Sequence, residues 1–116
     1  MQQESARRSN RDRTEATRAD LIAAARKLFT EKSYAETGTP EIVTAAGVTR
    51  GALYHHFADK QALFAAVVEQ EAQAVAQEIE RASPSSLEAR DALIAGSDAY
   101  LDAMRAPGRT RLLLLD

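Results

Sequence analysis

Residues 41 to 60, EIVTAAGVTRGALYHHFADK, constrain the fold more than any other stretch. They read as a short helix, a tight turn at Gly47 and a second short helix, with apolar residues spaced so that the two pack together. Small and hydrogen-bonding residues are left on the outer face of the second helix. That is the layout of a helix-turn-helix, whose second helix is shaped for a DNA major groove.

The flanking segments are helical in pattern as well. From about Thr14 to Lys32, residues Leu21, Ile22, Ala25, Leu28 and Phe29 form one stripe of a 3.6-residue period, with Asp12 or Thr14 as the expected cap. A loop with Tyr34 as its apolar anchor follows. Thr37, Gly38 or Thr39 can cap the next helix, whose first turn suits Pro40 because no N–H is needed there. Gly47 supplies the turn's backbone freedom, Val48 fills the junction, and Thr49 is the N-cap of a third helix over about Arg50 to Phe57. Asp59 caps a long fourth helix over about Lys60 to Ala82. Ser83-Pro84 breaks it, and Ser85 with Glu88 forms a capping box for a fifth. The buried side of that fifth helix is expected at Leu87, Leu93, Ile94, Ser97, Leu101 and Met104, and the leucines at 112 to 115 are expected as helix core. Valine, isoleucine and threonine form no alternating runs, so the predicted class is all-α.

Residues 1 to 13, rich in Arg, Ser, Gln and Asn, read as a mobile basic arm. The net charge is −2, yet it is unevenly spread: residues 1 to 60 carry +2 and residues 61 to 116 carry −4. Local charge sets phosphate attraction, because salt screens fields beyond about 8–10 Å. The chain has no cysteine and no apolar leader or membrane-length run, which predicts a cytoplasmic protein without disulfides or thiolate metal sites. The terminal RTRLLLLD reads as the beginning of an element, and so as a chain cut short.

On the third helix, a turn of about 100° per residue points Leu53 and Phe57 into the core and spreads Gly51, Ala52, His55 and His56 around the other side. Tyr54 lies on the boundary and Arg50 at the exposed tip. Gly51 and Ala52 allow close approach to the groove, and Arg50 can read a guanine through O6 and N7. The Tyr54 hydroxyl, a His55 ring nitrogen, the Lys60 ammonium and the Thr49 hydroxyl suit phosphate oxygens, which set register rather than sequence. Neighbouring His55 and His56 diverge too far to share a metal ion, and no metal or cofactor is expected. The carboxylate pairs Glu69/Glu71 and Glu78/Glu80 stand two apart on a helix and face different ways, and no nucleophile–base pairing is present. The chain therefore does not read as an enzyme.

The stretch AAGVTRGALYHHFADKQALFAAVVE resembles the signature of TetR-family transcriptional repressors, over about residues 15 to 70. The shared features are A-G-V at the turn, the Leu53-Tyr54-x-His56-Phe57 block, and D-K-x-x-L beginning at Asp59. The resemblance implies an all-helical homodimer with a three-helix DNA-binding head at residues 14–60. It further implies that residues 61–116 supply a linking helix and the incomplete start of a domain that binds a small-molecule effector and dimerises. Effector binding would release a near-palindromic operator. Carried over by position, Thr39, Arg50, Gly51, Ala52, Tyr54, His55 and Lys60 look DNA-facing, with His56 partly structural. The chain departs from the pattern at Ser33, where the family usually has Gly, at Thr39, usually apolar, at Val43, usually a small Ala, and in its length. With the pocket incomplete, tight effector binding by these 116 residues alone is not expected.

Overall fold

The computed structural model describes residues 2–82 and 89–115. It contains α1 (Gln2–Lys32), α2 (Thr39–Ala46), α3 (Arg50–His56), α4 (Lys60–Ala82), α5 (Ala89–Ala103) and a short π-helical segment, Arg111–Leu115. No strand occurs among the described residues, as the all-α expectation requires. The chain forms two compact units, residues 1–67 and 68–116.

The first unit is built on α1, α2 and α3. Leu21, Ile22, Ala25 and Phe29 of α1 are buried together with Ile42, Leu53, Phe57, Leu63 and Val67. These are the positions a 3.6-residue period places on one face of each helix. Complete burial of a side chain such as Leu53 contributes about 2 kcal/mol, and truncating it to Ala would cost about 2–5 kcal/mol through transfer and cavity terms. Phe29, Tyr34 and Phe64 extend the core as a three-ring cluster with centroids 4.8 to 5.5 Å apart. Tyr34 thus anchors the α1–α2 loop, as its sequence position suggested. Lys32 at the end of α1 pairs with Glu41 in the first turn of α2. Glu41 also accepts from the Gly38 N–H at 3.5 Å, and the lysine bond, followed by that N–H, holds its carboxyl below the usual range.

Helix α1 begins earlier than its sequence pattern suggested. The expected arm, residues 1 to 13, is helical from Gln2, and neither Asp12 nor Thr14 caps anything. The Thr14 hydroxyl instead donates to the Asn10 carbonyl at 2.8 Å, one turn back inside the helix. The reason is compositional. Gln, Glu, Ala and Arg are good helix formers, and neither Gly nor Pro interrupts them before Lys32.

In the second unit, Arg109 is the organising residue. Its guanidinium donates to Glu71 at 2.7 Å, to Glu78 at 2.7 and 3.1 Å, and to the Ala103 carbonyl at 2.7 Å. Both glutamates stand on α4 and Ala103 ends α5. Arg109 and Glu71 are themselves buried. The expected inner face of α5 is corrected here: Leu93, Ile94 and Leu101 are 72 %, 52 % and 59 % exposed, while Ala99 and Ala103 are buried. Ser97 is exposed and Met104 half-buried. Periodicity identified an apolar stripe correctly, but the small residues on the opposite side pack, since alanines four apart permit close approach. Of the terminal leucines only Leu112 is core, and Leu114 and Leu115 are exposed. The Ser85–Glu88 capping box and Leu87 lie outside the described residues.

Candidate nucleic-acid interface

The α2–turn–α3 unit is set by local chemistry. Gly38 is the N-cap of α2 and Pro40 sits in its first turn. The turn residue Gly47 has φ +70°, ψ +31°, a left-handed conformation that only glycine adopts without strain. Its N–H donates to the Thr44 carbonyl and the Val48 N–H to the Val43 carbonyl, at 3.2 and 3.1 Å. These bonds close α2 and turn the chain. Thr49 then caps α3: its hydroxyl oxygen accepts from the Ala52 N–H at 3.1 Å. At the far end Asp59 caps α4 by accepting from the Ala62 N–H at 2.7 Å. Helix α3 stops at His56, and Phe57 leaves the helix with extended backbone while keeping its ring buried.

These caps fix which side chains face outward. Arg50, Gly51, Tyr54 and His55 are exposed, and Ala52 is half-buried. The Arg50 guanidinium lies 5.6 Å from the centre of the Tyr54 ring one turn on, so the cation rests on an aromatic face. Thr39, Pro40, Val43 and Thr44 of α2 join Arg50, Leu53 and Tyr54 of α3 around a cleft of about 400 Å³. Pro40, Val43 and Leu53 give it apolar surface. Its rim carries two hydroxyls, a phenol and a guanidinium.

The predicted site residues are therefore brought together unevenly. Thr39, Arg50 and Tyr54 share the cleft. Thr49, Gly51, Ala52 and His55 are on α3 or its cap but do not line it. Lys60 is engaged elsewhere: half-buried, it donates to the Tyr34 carbonyl, and its ammonium stands 4.0 Å from the centre of the Tyr34 ring. Thr44 was not singled out from sequence. Its hydroxyl donates to the Pro40 carbonyl at 2.9 Å, and its place one turn after Pro40 was the available signal.

His56 behaves as a structural residue with a polar neighbourhood. Its ring meets His55 at 5.1 Å and Phe57 at 6.3 Å between centres, and Arg18 of α1 lies over the Phe57 ring at 5.3 Å. Burial first, then the positive fields of His55 and Arg18, push its imidazole below the ordinary value of 6.5. None of the described helices is long and apolar enough to cross a membrane.

Comparison with known proteins agrees with this geometry. The family described as bacterial regulatory proteins, tetR family, matches residues 21–67, which cover the C-terminal part of α1, all of α2 and α3, and the start of α4. The HTH-type transcriptional activator FasR of Mycolicibacterium smegmatis is 31 % identical over 96 residues, covering 83 % of this chain and 44 % of FasR. A TetR-family transcriptional regulator from Pectobacterium atrosepticum superposes with a TM-score of 0.73 at 39 % identity, over 88 % of this chain and 53 % of the other. A gamma-butyrolactone receptor (ArpA-like protein) superposes with a TM-score of 0.71 at 32 % identity, over 88 % and 53 %. This chain spans about half the length of the proteins it matches.

Proposed function

Residues 21–67 place this chain in the tetR family of bacterial regulatory proteins, and from that premise we propose that it is a DNA-binding transcriptional repressor. The observation that carries the reading is the convergence of Thr39, Arg50 and Tyr54 around one cleft on the outer face of α2 and α3. Arg50 reads a guanine through O6 and N7, held in place by the Tyr54 ring beneath it. Thr49, Tyr54 and His55 supply phosphate contacts, and Gly51 and Ala52 let α3 approach the groove. Thr39 contacts DNA from the first turn of α2. Residues 14–60 form the reading head. Residues 61–116 contribute a linking helix and the start of the effector and dimerisation part.

A homodimer places two copies of α3 on half-sites about 34–36 Å apart, one DNA turn, so the operator is near-palindromic. A small-molecule effector releases it; the likeness to a gamma-butyrolactone receptor supports a diffusible ligand rather than a protein one. Repression is favoured over activation on physical grounds. Occupying a promoter needs only the DNA-binding face, whereas activation needs a further surface for the polymerase. A role in binding DNA fits a cytoplasmic protein.

The test is fluorescence anisotropy with the DNA upstream of the protein's own gene against a scrambled duplex, at about 50 and 200 mM salt. Preference for the upstream DNA at the higher salt is the expected result. Absence of binding to either duplex would remove the reading. A reporter fused to the same upstream DNA gives the sign of regulation: expression rising on deletion of the gene supports repression, and falling expression refutes it.

A further inference from the structure

We propose that Lys60 is a positioning residue, which fastens the start of α4 to the α1–α2 turn and thereby sets the DNA-facing end of α2. Its sequence position suggests a phosphate contact, yet the structure commits its ammonium inward. The Lys60 Nζ donates to the carbonyl of Tyr34, 26 residues earlier in the chain, and lies over the Tyr34 ring. A cation that holds both a carbonyl and an aromatic face is partly desolvated and fixed in direction. The Tyr34 ring is itself packed against Phe29 and Phe64, so the anchor does not swing.

The turn it holds leads directly to α2. The Tyr34 carbonyl also accepts from the Thr37 N–H at 3.3 Å. Thr37 is buried, and its hydroxyl bridges to the Ser33 and Leu28 carbonyls at 2.7 and 3.3 Å. The next residue, Gly38, caps α2, and the one after it is Thr39 on the rim of the cleft. Lys60, Tyr34 and Thr37 thus form one hydrogen-bonded joint, two residues from a DNA-facing side chain. Thr37 grips the turn from α1 and Lys60 grips it from α4. Loss of either grip leaves the core in place but frees Thr39 and the α2 end of the cleft to wander relative to Arg50.

This inference rests on the DNA-binding reading, and the experiment separates the two. Lys60→Met, Lys60→Gln, Thr37→Val and the Lys60→Met/Thr37→Val double variant are compared with the parent by anisotropy. The probes are a duplex selected from a random pool and an unselected duplex, across a salt series at a temperature where every variant is folded by circular dichroism. The expected result is that each single variant loses several-fold, and at most about tenfold, in affinity for the selected duplex, since the free energy of one intramolecular bond bounds what its loss can cost in holding the turn. Binding to the unselected duplex and the slope of log affinity against log salt stay at parent values. The double variant loses less than the two single losses combined, because both act on one turn. A Lys60→Met slope shallower by about 0.9 would make Lys60 a phosphate contact and overturn the proposal alone. Lower melting temperatures with parental affinity would also overturn it, leaving a purely structural lysine. A parent that binds no duplex overturns the DNA-binding reading itself, and the proposal with it.

Discussion

Replacing Ser33 by glycine should stabilise the protein. Ser33 follows the last residue of α1 with φ +84° and is the one non-glycine residue described with a positive φ. Its N–H donates to the Phe29 carbonyl at 3.0 Å, closing the helix end. A side chain in this left-handed conformation crowds the backbone at a cost of roughly 1–2 kcal/mol. Two terms oppose the gain. Glycine makes the unfolded chain more flexible, worth about 0.4–1 kcal/mol. The serine hydroxyl also accepts from the Glu36 N–H, but at 3.4 Å that bond is too long to count for much. The net is a stabilisation of about 0.5–1 kcal/mol, which corresponds to a melting point higher by roughly 2–6 °C for a chain of this size. Thermal denaturation followed by helical circular dichroism measures it. Gly47→Ala is the matched control with opposite sign. A Cβ there meets nothing within 4 Å, so its cost of about 1 kcal/mol is purely conformational. A Ser33→Gly protein melting at or below the parent temperature would refute the claim that the helix end carries strain, most sharply if Gly47→Ala behaved as expected.

Three further outcomes follow from the geometry. Arg50→Ala should reduce discrimination at a single base pair by about 1–3 kcal/mol, while leaving the ranking at other positions intact; competition with singly substituted duplexes reads this out. For His56 the sign is set by its depressed folded value. The folded state binds the proton less readily than the unfolded chain, so stability is full above the unfolded value of 6.5 and declines as pH falls through it toward the folded one. The melting temperature should therefore fall between about pH 7.5 and 5.5, above the range where carboxylates titrate, and His56→Gln should flatten that dependence. Arg109→Met removes the 2.7 Å ion pair to the buried Glu71 and should cost about 3 kcal/mol in urea denaturation, whereas Arg109→Leu with Glu71→Leu should recover part of the loss.

Most of the head was legible in the sequence because its boundaries depend on near neighbours. Gly47, Thr49 and Asp59 act on residues within four positions, so residue type and local order located the turn and two caps. Even Ser33 was visible as a departure, although only the backbone angle reveals what it costs. What stayed hidden depends on distant partners. The Lys60 bond reaches back 26 residues, and Arg109 reaches back 38 and 31 to its glutamates. No spacing rule connects such pairs. The α5 error has a related cause: periodicity shows that a helix has an apolar side, but not whether a neighbour covers it. The N-terminal segment misled for the opposite reason. A polar, arginine-rich composition describes an unburied segment well, but helix propensity acts whether or not a segment is buried.

The two glycines of the helix-turn-helix make the strongest case that α3 is shaped for something outside the protein. Gly47 serves the fold, because its left-handed angle would cost another residue about 1 kcal/mol. Gly51 does not. It sits inside α3 without a positive φ, exposed, and an added Cβ would meet only the Thr49 hydroxyl oxygen at 3.8 Å, an ordinary contact. Alanine would therefore fit, and in this first turn of α3 it would stabilise by at most roughly 0.5–1 kcal/mol, the value for a helix interior. Folding gains nothing from glycine here, which fits the proposed close approach of DNA to the backbone at that point. Gly51→Ala should raise the melting temperature and weaken binding to a selected duplex, with Gly51→Ser weakening it further as the side chain grows. Arg50→Ala, by contrast, should weaken selected binding with little change in melting. If Gly51→Ala raised stability and bound DNA as the parent does, the groove would not come close to α3 at Gly51, and the docking of this helix would have to be turned about its axis.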